Sequence, residues 1–213
     1  MHEHVAGRTL THFPNDTPSA ETYSKDITYK FNAQGFRCDY DMDNGLRHMN
    51  VNMFLGCSNT LGIGVNLEET WCYHVNASFK GTRTMCNIAQ AGGAAETCYR
   101  LAQHWIPIIK PQAVYMLSPP ATRREFWMSD TDVEIIGPRS TIPKHMVSER
   151  EIQINRSRVV DAIENICHKH NASFTYVYMR HLFDAWGKQF PDLARDGSHP
   201  GPETHRIIAE HFK

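Results

Sequence analysis

The stretch His48-Met49-Asn50-Val51-Asn52-Met53-Phe54-Leu55-Gly56-Cys57-Ser58-Asn59-Thr60 begins with alternation, turns fully apolar, and ends on a glycine followed by small polar side chains. Alternation that passes into an unbroken apolar run is the pattern of a strand buried on both faces. Gly-Cys-Ser-Asn-Thr then supplies turn and capping groups where such a strand must stop. The segment is predicted as a first, central strand whose carboxyl end delivers Ser58.

Downstream, residues 68–79 read as a helix and residues 84–88 as a second strand that ends at the Gly92-Gly93 turn. From Ala94 to Ile109, Cys98, Leu101, Ala102, Trp105 and Ile108 recur at helical spacing until Lys110-Pro111 breaks the pattern. Ala113-Val114-Tyr115-Met116-Leu117 is a third strand. Ser148 caps a helix running to about His170, with Ile152, Val159, Val160, Ile163 and Ile166 on its apolar face. Ser173 to Tyr178 forms a fourth strand, residues 179–195 a lid-like connection, and Pro202 to Phe212 a closing helix. This alternation predicts a mostly parallel sheet covered on both faces, a three-layer α/β/α sandwich of flavodoxin-like kind. Upstream, residues 1–45 are polar, contain Pro14 and Pro18, and lack a sustained helical period. They are expected to be an extension packing on a domain of residues 46–213.

In an open parallel sheet, sites lie at the carboxyl ends of the strands. Ser58, Gly92 and the loop Pro119–Arg124 all fall there. Near the C-terminus stands Asp196-Gly197-Ser198-His199-Pro200. A serine hydroxyl becomes nucleophilic at neutral pH when an imidazole takes its proton, and a carboxylate fixes that imidazole's tautomer. Asp196, three residues before His199, folds back onto the ring within one turn; Asp192 is a second, more distant carboxylate. The Gly-x-Ser-x-Gly nucleophile elbow is absent, because Thr60 stands at its second glycine. Simpler readings exist: Ser58-Asn59-Thr60 as an ordinary strand-to-helix turn, Asp196-Gly197 as an exposed turn, Gly92-Gly93 as a turn needing positive φ. Cys57 is a rival nucleophile, though adjacent side chains in extended chain point opposite ways.

These blocks resemble the SGNH, or GDSL-type, esterases and acylhydrolases over roughly Ile27 to the C-terminus. Residues Phe54 to Val65 look like the family's first block, Asn87-Ile88-Ala89-Gln90-Ala91-Gly92-Gly93 like the second, and Asp196 to Pro200 like the last. Phe31-Asn32-Ala33-Gln34-Gly35-Phe36-Arg37 is similar to a segment found ahead of the first block in some members. The resemblance implies Ser58 as nucleophile, His199 as base, Asp196 as its orienting acid, and the N–H groups of Ser58 and Gly92 as the oxyanion hole, without a cofactor. Two departures stand out. Cys57 occupies the position of the family's aspartate, and the loop after the third strand, Ser118 to Glu125, holds no asparagine to serve as an oxyanion donor. Arg123 or Arg124 is a candidate for that slot, with surface pairing to Glu125 or Asp130 as the alternative. Trp127 and Trp186, in predicted loops, are placed to stack on a sugar face or to pack.

The implied substrate is a small-molecule or glycan ester, an O-acyl or O-acetyl group on a carbohydrate. The alternatives are a non-catalytic glycan-binding member and an O-acyltransferase using the same triad. The 213-residue chain has 41% hydrophobic and 21% charged residues and a net charge of −1, with no Lys/Arg run, so a nucleic-acid partner is not expected. No apolar stretch of signal-peptide or membrane-spanning length occurs, and a soluble, cytoplasmic chain without membrane partners is expected. Six scattered cysteines form no Cys-x-x-Cys pair and read as reduced thiols. The close pairs His2/His4 and His168/His170 lack a third ligand at useful spacing, so no metal site is expected.

Overall fold

The computed structural model describes residues 6–11, 25–42, 46, 48–130, 132–137 and 148–213. Pro14, Pro18 and the pair His2/His4 lie outside these residues. In chain order the elements are β1 (Thr9–Thr11), β2 (Thr28–Lys30), β3 (Val51–Leu55), α1 (Ser58–Leu61), α2 (Trp71–Ala77), β4 (Thr84–Asn87) and α3 (Ala95–Ile109). There follow β5 (Ala113–Leu117), β6 (Arg124–Trp127), β7 (Val133–Ile136), α4 (Glu149–Lys169), β8 (Ser173–Val177), α5 (Met179–Ala185) and α6 (Pro202–Glu210).

Among the described residues the main sheet has the order β4-β3-β5-β8, and every pairing in it is parallel. β3 is central, with Met53 opposite Cys86 on one side and Val114 on the other. Side chains alternate across the sheet, so each strand feeds two cores. Val51, Met53 and Leu55 pack with Leu101 and Trp105 of α3 and with Val159 and Ile163 of α4. On the opposite face Phe54 stacks on Tyr115 at 5.2 Å and meets Trp71 of α2 edge-on, while Trp71 stacks on Phe212 beyond α6 at 4.4 Å. Helices cover both faces, which gives the three-layer α/β/α sandwich. No helix among the described residues is long and apolar enough to cross a membrane.

The helix expected from Ser148 is α4, and the Ser148 hydroxyl accepts a hydrogen bond from the Glu151 N–H. Two local differences from the sequence reading matter, and the segment ahead of β3 adds a third point. Part of the 179–195 connection is α5, because Met179 and Leu182, three residues apart, bury one helical face. The stretch after β5 contains the antiparallel pair β6–β7. The segment ahead of β3 contributes a core of its own, in which Ile27, Tyr29 and Phe31 are buried against Leu61, Ile63 and Ala89.

Candidate active site

β3 ends at Gly56, and the chain must turn there in very little space. A Cβ on Gly56 would lie 1.9 Å from Thr60 Oγ1 and 3.0 Å from the Leu117 carbonyl, so only glycine fits. One helical turn follows: Leu61 N–H donates to Cys57 O, Gly62 N–H donates to Ser58 O, and Gly62 closes the turn at φ 80°. Asn87 at the end of β4 ties this turn to the sheet, its Nδ2 donating to Thr60 O at 2.7 Å and its Oδ1 accepting from Ala89 N–H. Ser58 is 6% exposed and begins α1, where a first-turn N–H has no intrahelical acceptor. Cys57 beside it is buried.

The second part is a loop folded on itself. His199 Nδ1 is hydrogen-bonded to Asp196 Oδ2, and Asp196 Oδ1 accepts from the backbone N–H groups of Ser198 and His199 at 3.0 Å each. Partial burial pushes the Asp196 carboxyl upward, but the hydrogen bonds from His199 and Ser198 outweigh it and hold the group far below the usual carboxylate range. Asp196 is therefore ionised at neutral pH. Asp192 serves a different end. It accepts from the N–H groups of Glu203 and Thr204 and from the Thr204 hydroxyl, tying the loop to the start of α6.

The two parts meet at Gly64, whose carbonyl accepts from Arg195 N–H at 3.0 Å. A Cβ on Gly64 would stand 2.7 Å from the Ala194 Cβ, so the Ser58 turn and the Asp196–His199 loop are in direct contact. No hydrogen bond among the described residues joins Ser58 Oγ to His199. Such contacts are commonly long without substrate and tighten when it binds.

Gly92 adopts φ 75° in an exposed turn, and Gly93 N–H donates to Gln90 O. The two arginines separate. Arg123 Nη1 lies 3.5 Å from the Gly93 carbonyl, beside that turn, whereas Arg124 pairs with Glu96 at 2.6 Å. Glu125 belongs to neither: it is buried, accepts from the Thr97 hydroxyl, and is paired with Arg100. Trp127 is 58% exposed, while Trp186 packs near Phe190 at 6.4 Å.

A cleft of about 550 Å³ opens at the carboxyl ends of β5 and β8. Asn59, next to Ser58, is on its wall with Pro119, Pro120, Tyr178, Phe183 and Phe190. Among the described residues no three His, Cys, Asp or Glu side chains are grouped to hold a metal ion. The sequence reading missed Asn87 as a brace and the contact at Gly64. Asn87 heads the second block and Gly64 stands in the first, but the contact of Gly64 with Ala194 and Arg195 depends on a partner about 130 positions away.

No protein-family model matches the chain, and no curated protein matches it in sequence. Among solved structures it is similar to a protein assigned to the G-D-S-L lipolytic family from Desulfitobacterium hafniense DCB-2, at 10% identity over 76% of this chain and 97% of that one, with a TM-score of 0.49. It is also similar to LAE5, an alpha/beta hydrolase enzyme from the metagenome of Lake Arreo, Spain (18% identity, 79% of this chain and 96% of that one, TM-score 0.41). A third is the lipase/acylhydrolase from Enterococcus faecalis (14% identity, 77% of this chain and 93% of that one, TM-score 0.42).

Proposed function

We propose that the chain is a divergent member of the SGNH superfamily and works as a serine esterase on small O-acyl esters. The observation that carries this reading is the Asp196–His199 hydrogen bond, on a loop docked through Gly64 against the turn that begins at Ser58. In the proposed reaction Ser58 Oγ attacks the ester carbonyl and His199 takes its proton. The N–H groups of Ser58 and Gly92 stabilise the oxyanion, and the alcohol leaves with the proton from His199. Water then attacks the acyl-enzyme by the same route, releasing the acid and restoring Ser58. Asp196 stays ionised and holds the imidazole. The cleft beside Asn59 has room for the acyl or alcohol portion, and a carbohydrate acetyl ester is the substrate class we favour.

A fluorophosphonate probe tests this directly. The adduct is expected on Ser58 by mass spectrometry, together with turnover of a short-chain aryl ester. Protein that neither reacts nor turns over would refute the reading and favour a non-catalytic glycan-binding role, whereas an adduct on Cys57 would refute it in favour of the thiol as nucleophile. Product analysis with an added sugar alcohol separates hydrolysis from acyl transfer.

The position of Arg123 beside the Gly92-Gly93 turn supports it over Arg124 as the group replacing the absent asparagine. Arg123→Ala is expected to lower kcat about 10²-fold with little change in KM, the usual effect of removing one oxyanion donor. Arg124→Ala is expected to lower thermal stability through loss of the Glu96 pair and to leave kcat of the folded protein unchanged. Equal kcat in wild type and Arg123→Ala would remove Arg123 from the mechanism.

A further inference from the structure

Arg37 is 1% exposed, and no carboxylate pairs with it among the described residues. Its Nη1 donates to Leu61 O at 3.0 Å and Gly62 O at 2.8 Å, and its Nη2 to Val65 O at 3.0 Å and Thr28 O at 3.2 Å. Burial pulls its pKa down to about 10, so the group is still a cation at neutral pH. Four carbonyl oxygens stand in for water around it. Exchanging buried charges for apolar residues of similar volume is often neutral or stabilising. Stability alone therefore does not account for an unpaired guanidinium at this place.

The place itself does. Leu61, Gly62 and Val65 lie on the turn that leaves α1, and a planar fork of donors fixes three carbonyls relative to one another, which a single ammonium does not. The ring of Tyr29 lies under the guanidinium at 4.4 Å, and its hydroxyl accepts from Gly64 N–H at 2.7 Å. Gly64 O in turn accepts from Arg195 N–H, and Ala194 N–H donates to His199 O at 2.9 Å. Because α1 is a single turn of 4 residues, a shift at its end is a shift of Ser58. The Arg37–Tyr29 pair thus holds the one turn on which the Ser58 helix and the Asp196–His199 loop both rest.

We infer that Arg37 and Tyr29 are positioning residues, contributed by the segment ahead of the sheet, that set where Ser58 stands relative to His199. The inference rests on the serine-esterase reading above. Its test is active-site titration with a fluorophosphonate, which counts competent sites, followed by aryl-ester kinetics expressed per site. Tyr29→Phe keeps the ring and removes only the hydroxyl that holds Gly64; Arg37→Lys keeps the charge and loses the fork. Misplacement of reacting groups by about 1 Å can cost 10²-fold, so kcat per site is expected to fall by about ten- to a hundredfold in both, with KM unchanged. Should Arg37→Lys not fold, Tyr29→Phe decides alone. Variants with fewer sites or a lower melting temperature, yet the wild-type rate at each site, would overturn the inference and leave the esterase reading standing. Wild-type protein without adduct or turnover would overturn both.

Discussion

Ser58→Ala should lower kcat by about four to six orders of magnitude, because removing the nucleophile of a Ser-His-Asp set leaves only binding and oxyanion stabilisation. The fold gives no reason for the change to act otherwise. Ser58 is helical, its side chain caps nothing, and alanine is the best helix former, so the α1 turn should persist. Thermal melting of the variant is accordingly expected to match wild type, which separates a lost reaction from lost structure. Cys57→Ala is the necessary companion. Cys57 is 3% exposed, and its truncation removes one buried sulfur, so much of the activity should survive with a modest loss of stability. The opposite pattern, activity lost with Cys57 and kept without Ser58, would make the thiol the nucleophile.

Acid should destabilise the protein well before its carboxylates begin to protonate, and His205 is the reason. It is fully buried on α6, and its Nδ1 accepts a hydrogen bond from Trp71 N–H at the start of α2, at 3.1 Å. Burial, with Arg37 a smaller influence, lowers its pKa from 6.5 to about 3. The sign follows from proton uptake: between these values the unfolded chain binds a proton that the folded chain refuses, so stability rises with pH across the window and is lost on acidification. At about 1.4 kcal/mol per unit, full passage through the window removes on the order of 5 kcal/mol, a large share of the stability of a typical domain. Urea unfolding at pH 7, 6 and 5 should give steadily lower midpoints. His205→Gln keeps an acceptor for Trp71 N–H without a titrating group, and its midpoints should be less sensitive to pH over the same range. His74, half-buried and shifted the same way by desolvation, leaves a residual slope. Asp196, depressed in the fold, adds its own loss only as pH falls below the ordinary carboxylate range. An unchanged slope in His205→Gln would show that the acid sensitivity arises elsewhere.

Those parts of the fold whose cause is local could be read from the residues themselves. Ala113–Leu117 is apolar throughout because the strand is buried on both faces, and Ser148 announces α4 because its hydroxyl supplies the cap. The bond between Asp196 and His199 was legible for the same reason, since three residues of spacing close it within one turn. The positive φ of Gly92 follows from its turn. What could not be read depends on distant partners. Arg37 in a polar segment looks like a surface residue, and its burial is made tolerable by carbonyls that include three more than twenty positions away. Asp192 stands as a rival acid until its hydrogen bonds to Glu203 and Thr204 tie it to α6.

All six cysteines are free and buried, and this gives the molecule a built-in clock. Electrophiles attack thiolates, and burial holds the thiols of Cys72 and Cys98 far above their ordinary range and pushes Cys167 up to about 12. Alkylation of these positions must wait for the chain to open, so their labelling order follows the order in which regions of the structure come apart. Cys167 sits at the end of α4, Cys98 in the first turn of α3, and Cys72 in α2. Helices on both sides of the sheet are thereby tagged, and no foreign label is needed to learn which layer lifts off first.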